Sequence, residues 1–296
     1  MTEDQLRYFV TIVDTGSYIE AALELNIVQS SISKQIQALE NELGIQLFNR
    51  QHRRIELTDE GKQLLPQARQ LLEGFCRLKY MAQKLQPRYK NRITVISLPF
   101  IGYFGLYVPI NQFKLKNPSF KINIIELEEP QLFRRLLSNS FDIALTYWHE
   151  QNLANSKNFF IPISTDEIVL AVNKDNSLAQ LNYVTTEQLK NTPLMLMESY
   201  TCVANLCKTF FEEHSIVPNI IFRGRPETIF SCVQANQGTA ALITRKQASS
   251  YLANNVVLIP ITPSIPAILG AVINKHSQKN LKVKELVNML IGRNIK

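Results

Sequence analysis

The chain has 296 residues, 45% of them hydrophobic, a formal net charge of +7 and four cysteines. That length suffices for two or three domains with buried cores, and no apolar run approaches the ~20 residues that a membrane-spanning helix needs. Met1-Thr2-Glu3-Asp4 does not open a signal peptide. Cys76, Cys202, Cys207 and Cys232 lack paired zinc spacing and are too few for a disulfide framework, so a cytoplasmic protein with no metal or cofactor is expected. Charge alone marks no nucleic-acid face: residues 1–90 hold 12 Lys/Arg against 11 Asp/Glu, and residues 91–296 hold 20 against 14.

Thr2-Glu3-Asp4-Gln5 has the form of a capping box opening a first helix, with Leu6, Phe9, Val10 and Val13 as its buried stripe and Thr15-Gly16 as its end. Ser17 caps the next helix. Ala21, Ala22 and Leu25 make one short apolar stripe, and Ile32, Ile36 and Leu39 make a second. Asn26-Ile27-Val28 between them has room only for a tight corner, and Asn26 tolerates the left-handed conformation that stops a helix. Two helices so joined form a helix-turn-helix, whose second helix can enter the DNA major groove. Gln29, Ser30, Ser31, Ser33, Lys34 and Gln37 fall on the faces its apolar stripe leaves free. Gln can pair with adenine in a bidentate way, Lys can reach guanine or phosphate, and Ser can bond either. An ordinary amphipathic helix pair with a polar outer face has the same spacing.

Leu43-Gly44 stops this helix. Ile45, Leu47 and Phe48 read as core residues under a β-hairpin that carries Arg50-Gln51-His52-Arg53-Arg54. As a wing it would set Arg50, Arg53 and Arg54 against phosphates or into the minor groove; as a bland alternative it is a solvated basic turn. Thr58-Asp59-Glu60 opens a long helix, with two acids at its positive end. Leu64, Leu65, Ala68, Leu71, Leu72, Phe75, Leu78, Ala82 and Leu85 read as one apolar face. Such a face on a protruding helix needs a partner, so Leu64, Leu71, Phe75 and Leu78 are expected at a dimer seam. Pro66 should kink this helix and Pro87 should end it.

From Arg92 short apolar runs alternate with helical stripes, the sign of an α/β region. Strands are expected at Ile93–Ile96, Ile122–Glu126, Phe141–Leu145, Ile168–Val172, Ile220–Phe222, Ala240–Ile243, Leu258–Ile259 and Ala267–Ile273. Helices are expected at Ile101–Phe113, Leu132–Leu137, Thr185–Leu189, Cys202–Glu213, through Val233, and at Lys282–Leu290.

Ala21-Ala22, Leu25, Gln29, Ser33, Lys34-Gln35-Ile36, Leu39-Glu40, Leu43-Gly44, Leu47-Phe48, Arg50, Leu57-Thr58 and Gly61 resemble, in order and spacing, the N-terminal signature of LysR-type transcriptional regulators. One departure is Val28, where the family usually has Ser or Thr before the helix-opening Gln; Ser30 or a shifted helix start is expected to compensate for the missing cap. Phe141-Asp142-Ile143-Ala144-Leu145 and Gly238-Thr239-Ala240-Ala241-Leu242 match landmarks of the family's effector-binding region. The resemblance implies an N-terminal all-α winged helix-turn-helix over residues 1–58, a linker (dimerisation) helix over 59–90, and an α/β effector-binding domain over 91–296. That domain would hold two subdomains like a periplasmic binding protein, I at about 91–163 with 267–296 and II at about 164–266. It further implies a sequence-specific DNA-binding regulator that acts on an interrupted palindrome of double-stranded DNA as a homodimer or homotetramer, with a small-molecule effector, RNA polymerase as an optional further partner, and no membrane.

Ligands of open α/β sheets sit at the carboxyl ends of strands, where helix N-termini offer backbone donors. Ser97, Leu98, Pro99, Phe100, Glu128, Thr146, Tyr147, Thr201 and Cys202 are accordingly the candidate effector contacts. In many family members the residues at Leu98 and Phe100 are Ser or Thr that hold an effector carboxylate. Both being apolar here, the expected effector is an anion with an apolar body, held by backbone amides.

Two other classes stay open. The family's peroxide sensors carry a reactive cysteine near Cys202, so a thiol redox switch is one. A cleft enzyme or binding protein with a non-functional N-terminus is the other. His52, His149, His214 and His276 are scattered without metal spacing, and no nucleophile or phosphate-loop motif occurs, so no catalytic residue is assigned.

Overall fold

The computed structural model describes residues 1–49, 55–148, 159–236, 238–251 and 255–292; Arg50, Arg53 and Arg54 of the expected wing lie outside the described residues. Two compact units divide the chain: Met1–Pro87 with Leu137–Ser140, and Arg88–Leu136 with Phe141–Lys296.

The first unit holds helices α1 (Glu3–Thr15), α2 (Tyr18–Leu25), α3 (Gln29–Leu43) and α4 (Asp59–Leu85). Thr2 and Gln5 form the expected capping box, and Ser17 accepts hydrogen bonds from the Ile19 and Glu20 amides. Asn26 takes the left-handed conformation (φ 54°) that turns the chain from α2 toward α3. Phe9, Ile12, Ile32, Ile36, Leu39 and Leu47 are fully buried at the centre. Glu40 is buried beside them, and its Oε1 accepts the amides of Leu47 (2.8 Å) and Phe48 (3.3 Å). The carboxylate thereby ties α3 to the strand that follows it. Phe48 pairs with Leu57 in an antiparallel bridge, so these two residues lie side by side at either end of the expected wing. A Cβ at Gly61 would lie 2.3 Å from the Leu47 carbonyl oxygen, so only glycine lets the first turn of α4 pack on this strand.

The α3 N-terminus differs from expectation. Val28 is the N-cap residue, with extended backbone (φ −76°, ψ 135°) and no side-chain cap, and α3 starts at Gln29 with no compensation from Ser30. Since that backbone already suits a cap, Val28→Thr should stabilise the first unit by ~1 kcal/mol, readable as a higher midpoint in thermal unfolding. An unchanged or lowered midpoint would show that the α3 end is satisfied otherwise.

The apolar face of α4 is in fact two faces. Leu64, Leu65, Ala68 and Leu72 pack on the core of the first unit, with Ala68 buried and the three leucines partly so. Leu71 (47%), Phe75 (39%), Leu78 (66%) and Leu85 (85%) are exposed. With Ala82 these recur at spacings of four and three, the a/d pattern of a helix pair. The helix runs on through Pro66 and stops at Leu85, with Gln86 as its C-cap.

The second unit is built on one nine-stranded sheet in the order β2-β1-β3-β11-β4-β8-β6-β7, with β9 also on β4. Its strands are β1 (Arg92–Ser97), β2 (Lys121–Glu126), β3 (Ile143–Tyr147), β4 (Phe159–Asn173), β6 (Pro193–Met197), β7 (Asn219–Gly224), β8 (Ala240–Thr244), β9 (Val256–Ile259) and β11 (Ile265–Ile273); β5 (Val184–Thr185) and β10 (Ile261–Thr262) form a separate pair. Helices α5 (Tyr107–Lys116), α6 (Glu129–Ser138), α7 (Thr186–Lys190), α8 (Cys202–Glu213), α9 (Pro226–Ala235), α10 (Arg245–Ser250) and α11 (Leu281–Ile291) connect them.

Pairing is parallel within β2-β1-β3 and within β7-β6-β8, and antiparallel through the long strands β4 and β11 that join these two lobes. A register shift falls between Leu269 and Gly270, where an added Cβ would meet Phe160 at 2.3 Å and the Ile161 carbonyl oxygen at 2.5 Å. Asp142 is a structural residue: its carboxylate accepts the Thr94 amide (2.7 Å) and the Ser277 hydroxyl (2.6 Å).

Several elements depart from the sequence reading; α10 and the short pair β5 and β10 had no expected counterpart. The helix expected from Ile101 starts only at Tyr107, because Pro99, Gly102 and Gly105 break the helical repeat into turns. β6 had no counterpart, since a five-residue apolar run carries no period that separates strand from loop. β4 is fifteen residues long, and Pro162 and Asp166 interrupt the alternation that would have revealed its first half.

Candidate functional site

Two surfaces carry the candidate residues, one in each unit. On the first unit, Gln29, Ser30, Ser31, Ser33, Lys34 and Gln37 are all exposed on α3, while Ile32, Ile36 and Leu39 on its other side are buried. The helix thus splits cleanly into a core-facing stripe and a polar face with donors and acceptors of the kinds that read base edges. No acidic residue lies in its first turn, so nothing there repels phosphate at the positive end of the helix dipole.

In the second unit a cavity of about 230 Å³ opens at the carboxyl ends of the strands, between residues of the two lobes. Leu98, Pro99, Phe100, Glu128, Tyr147 and Thr201 line it, as expected. Ser97, Thr146 and Cys202 do not. All three are fully buried beneath the lining, and the two hydroxyls are turned onto neighbouring carbonyl oxygens of Leu98 and Tyr147. Tyr200, just before the expected α8 start, lines the cavity too; lining residues missed by the sequence reading include Tyr103, Glu129, Glu198, Arg225 and Glu227. Their signal was weak because they come from turns and helix starts far apart in sequence; Glu128-Glu129 after β2 was the one visible acidic pair.

The lining departs from an anion site. The Leu98 amide already donates to the Leu145 carbonyl (3.3 Å) and the Phe100 amide to the Leu98 carbonyl (2.7 Å). At the N-terminus of α8 the Cys202 amide donates to Glu129 Oε2 at 2.5 Å, and the Ala204 amide to the Thr201 hydroxyl. The Leu98, Phe100, Cys202 and Ala204 amides are therefore engaged within the protein. Among the described residues the lining carries four carboxylates, Glu128, Glu129, Glu198 and Glu227, against one guanidinium, Arg225, which is itself paired with Glu128 at 3.2 Å.

Burial pushes Glu129 from its ordinary 4.5 up to about 7, against the lowering effect of its Cys202 contacts. In the unfolded chain this carboxyl ionises near 4.5, so between pH 4.5 and 7 the folded protein holds a proton that the unfolded chain releases. Glu129 therefore favours the fold most below pH 4.5, and its contribution falls by about 3 kcal/mol as pH rises through 7. Glu129→Gln should remove that fall. Denaturant unfolding should show the variant gaining stability relative to the natural chain between pH 5 and pH 8; an equal difference at both would contradict the assignment.

The thiols do not favour a redox switch. Cys202 is fully buried, and desolvation together with the Glu129 carboxylate raises its thiol well above the ordinary range. Burial pushes Cys207 up to about 12. The thiolate is the reactive form, so burial works against reaction at both thiols.

An exposed polar helix of a helix-turn-helix joined to a two-lobed α/β unit with a cleft defines a class: a DNA-binding head with a small-molecule-binding module. Residues 4–62 match the bacterial regulatory helix-turn-helix proteins of the lysR family, and residues 89–294 match the LysR substrate binding domain. The chain belongs to the LysR family of transcriptional regulators.

Among its relatives, YbhD of Escherichia coli (strain K12), an uncharacterised HTH-type transcriptional regulator, is 29% identical over 184 residues, which span 62% of this chain and 57% of that protein. A hydrogen peroxide-inducible genes activator of Haemophilus influenzae (strain ATCC 51907 / DSM 11121 / KW20 / Rd) is 26% identical over 234 residues, 79% of this chain and 77% of that one. The crystal structure of HinK, a LysR family regulator from Pseudomonas aeruginosa, superimposes with a TM-score of 0.59 at 24% identity, covering 99% of this chain and 98% of that one. No helix among the described residues is long and apolar enough to cross a membrane.

Proposed function

We propose that this regulator is a cytoplasmic, non-enzymatic homo-oligomer that binds an interrupted palindrome of double-stranded DNA and changes its DNA affinity when a small molecule occupies the cleft. The single observation that carries this reading is the division of α3. Its apolar stripe is used in the core, and Gln29, Ser30, Ser31, Ser33, Lys34 and Gln37 are left outward.

In this reading residues 1–58 are the head, 59–90 the dimerisation helix and 91–296 the effector domain. Gln29 and Lys34 read bases, with Ser30, Ser31, Ser33 and Gln37 beside them. Arg50, Arg53 and Arg54 contact the DNA backbone, and Leu71, Phe75 and Leu78 form the seam between two chains. Contact with RNA polymerase belongs to the same reading as a further step.

The test is selection of duplexes from a random pool by the full chain. Enrichment of one sequence with two inverted half-sites is the expected result. A pool that stays unenriched after repeated rounds would reject it.

A further inference from the structure

We propose that the cleft takes a protonated amine carried on an apolar or aromatic body, the ammonium lying against Glu129 and Glu198 and the body against Phe100, Tyr103, Tyr147 and Tyr200. The inference rests on reading the cleft as the effector site and adds the charge of its ligand.

Four observations support it. Glu129 is 6% exposed yet lines the cavity, and its contacts are the Cys202 amide and thiol; no cationic side chain among the described residues neutralises it. An ionised carboxylate in such surroundings is strongly favoured by an arriving cation and opposed by an arriving anion. Second, the one lining cation among the described residues, Arg225, is held by Glu128, which leaves Glu198 and Glu227 as further acceptors; Glu227 takes the Tyr251 hydroxyl at 2.7 Å. Third, the amides of Leu98, Phe100, Cys202 and Ala204 are all committed to protein acceptors, so an anion finds no open backbone donors at those positions. Fourth, aromatic rings form much of the wall, with Phe100 set edge-on to Tyr147 at 5.3 Å between centroids. Ring faces attract ammonium groups while offering apolar area to the rest of the ligand.

Calorimetric titration of the full chain with 2-phenylethylamine, 3-phenylpropionate, phenylalanine and ammonium chloride tests the idea, with operator affinity measured in parallel for each. The amine should bind at least tenfold more tightly than the other three. Glu129→Gln, which keeps the acceptor for the Cys202 amide, should weaken the amine at least tenfold. Glu198→Gln, at a half-buried position outside the core, should weaken it severalfold and serves if the first variant folds poorly by circular dichroism.

Absence of amine binding, tighter binding of the carboxylate or the zwitterion, or amine affinity unchanged in a folded variant would each overturn the proposal. A carboxylate that binds more tightly and alters operator affinity would do so while leaving the effector reading standing. An amine that binds as expected without altering operator affinity would overturn the effector reading alone.

Discussion

Leu71→Asp should yield a folded monomer whose operator affinity falls by ~10²–10⁴-fold, the loss expected when two linked heads become one. Leu71 is 47% exposed in the single chain and takes no part in the core of the first unit, so a carboxylate there is solvated in the monomer. The fold itself should lose only ~0.5 kcal/mol, the helix-propensity difference of an exposed site. In a seam formed by Leu71, Phe75, Leu78, Ala82 and Leu85, the same carboxylate would be buried against its symmetry mate without a counter-charge. Ala68→Asp is the contrasting variant: Ala68 is 4% exposed inside the unit and should unfold it. Sedimentation reads the outcome. A dimeric Leu71→Asp protein would place the seam elsewhere.

Gln29→Ala and Lys34→Ala should each cost ~1–3 kcal/mol at the specific site and relax base preference at the position each one reads. Both side chains are exposed and neither supports the core, so thermal unfolding should be unchanged and the loss confined to DNA binding. The two residues sit five apart on α3, about 140° around the helix, so they bound the polar arc that Ile32, Ile36 and Leu39 leave exposed. A bidentate base contact also leaves an unpaired base edge when it is lost, which is why these substitutions outweigh removal of one phosphate contact. Electrophoretic mobility shifts on the selected duplex and on single-base variants would show it. Equal affinity in both variants would take α3 out of the groove.

The first unit was legible because its signals are local. Thr2 and Ser17 cap, Asn26 turns and Gly44 stops, each within a few residues of the element it controls. The same locality hid what depends on distance. Leu64 and Leu71 look alike on a helical repeat, and only the packing of α4 on the rest of its unit separates a residue packed on the core from an exposed one. In the second unit, Cys202–Glu213 was predicted to the residue because Thr201 caps it and its apolar stripe is regular.

The cleft was half legible. Leu98, Phe100 and Tyr147 follow from strand ends, but its charge does not. Glu129, Glu198 and Glu227 reach it from three separate elements, and whether a backbone amide is free cannot be read from residue types. The apolar residues at 98 and 100 suggested an anion held by amides; those amides turn out to be occupied.

The central claim is sequence-specific recognition of DNA by the head of this chain. The most direct measurement is the affinity of the full chain for its selected duplex and for a scrambled duplex of equal length and composition, titrated across salt by fluorescence anisotropy. The account predicts a preference of at least ~10³ for the selected duplex at physiological salt, with both affinities falling steeply as salt rises. Equal affinity for the two duplexes at every salt concentration would contradict it.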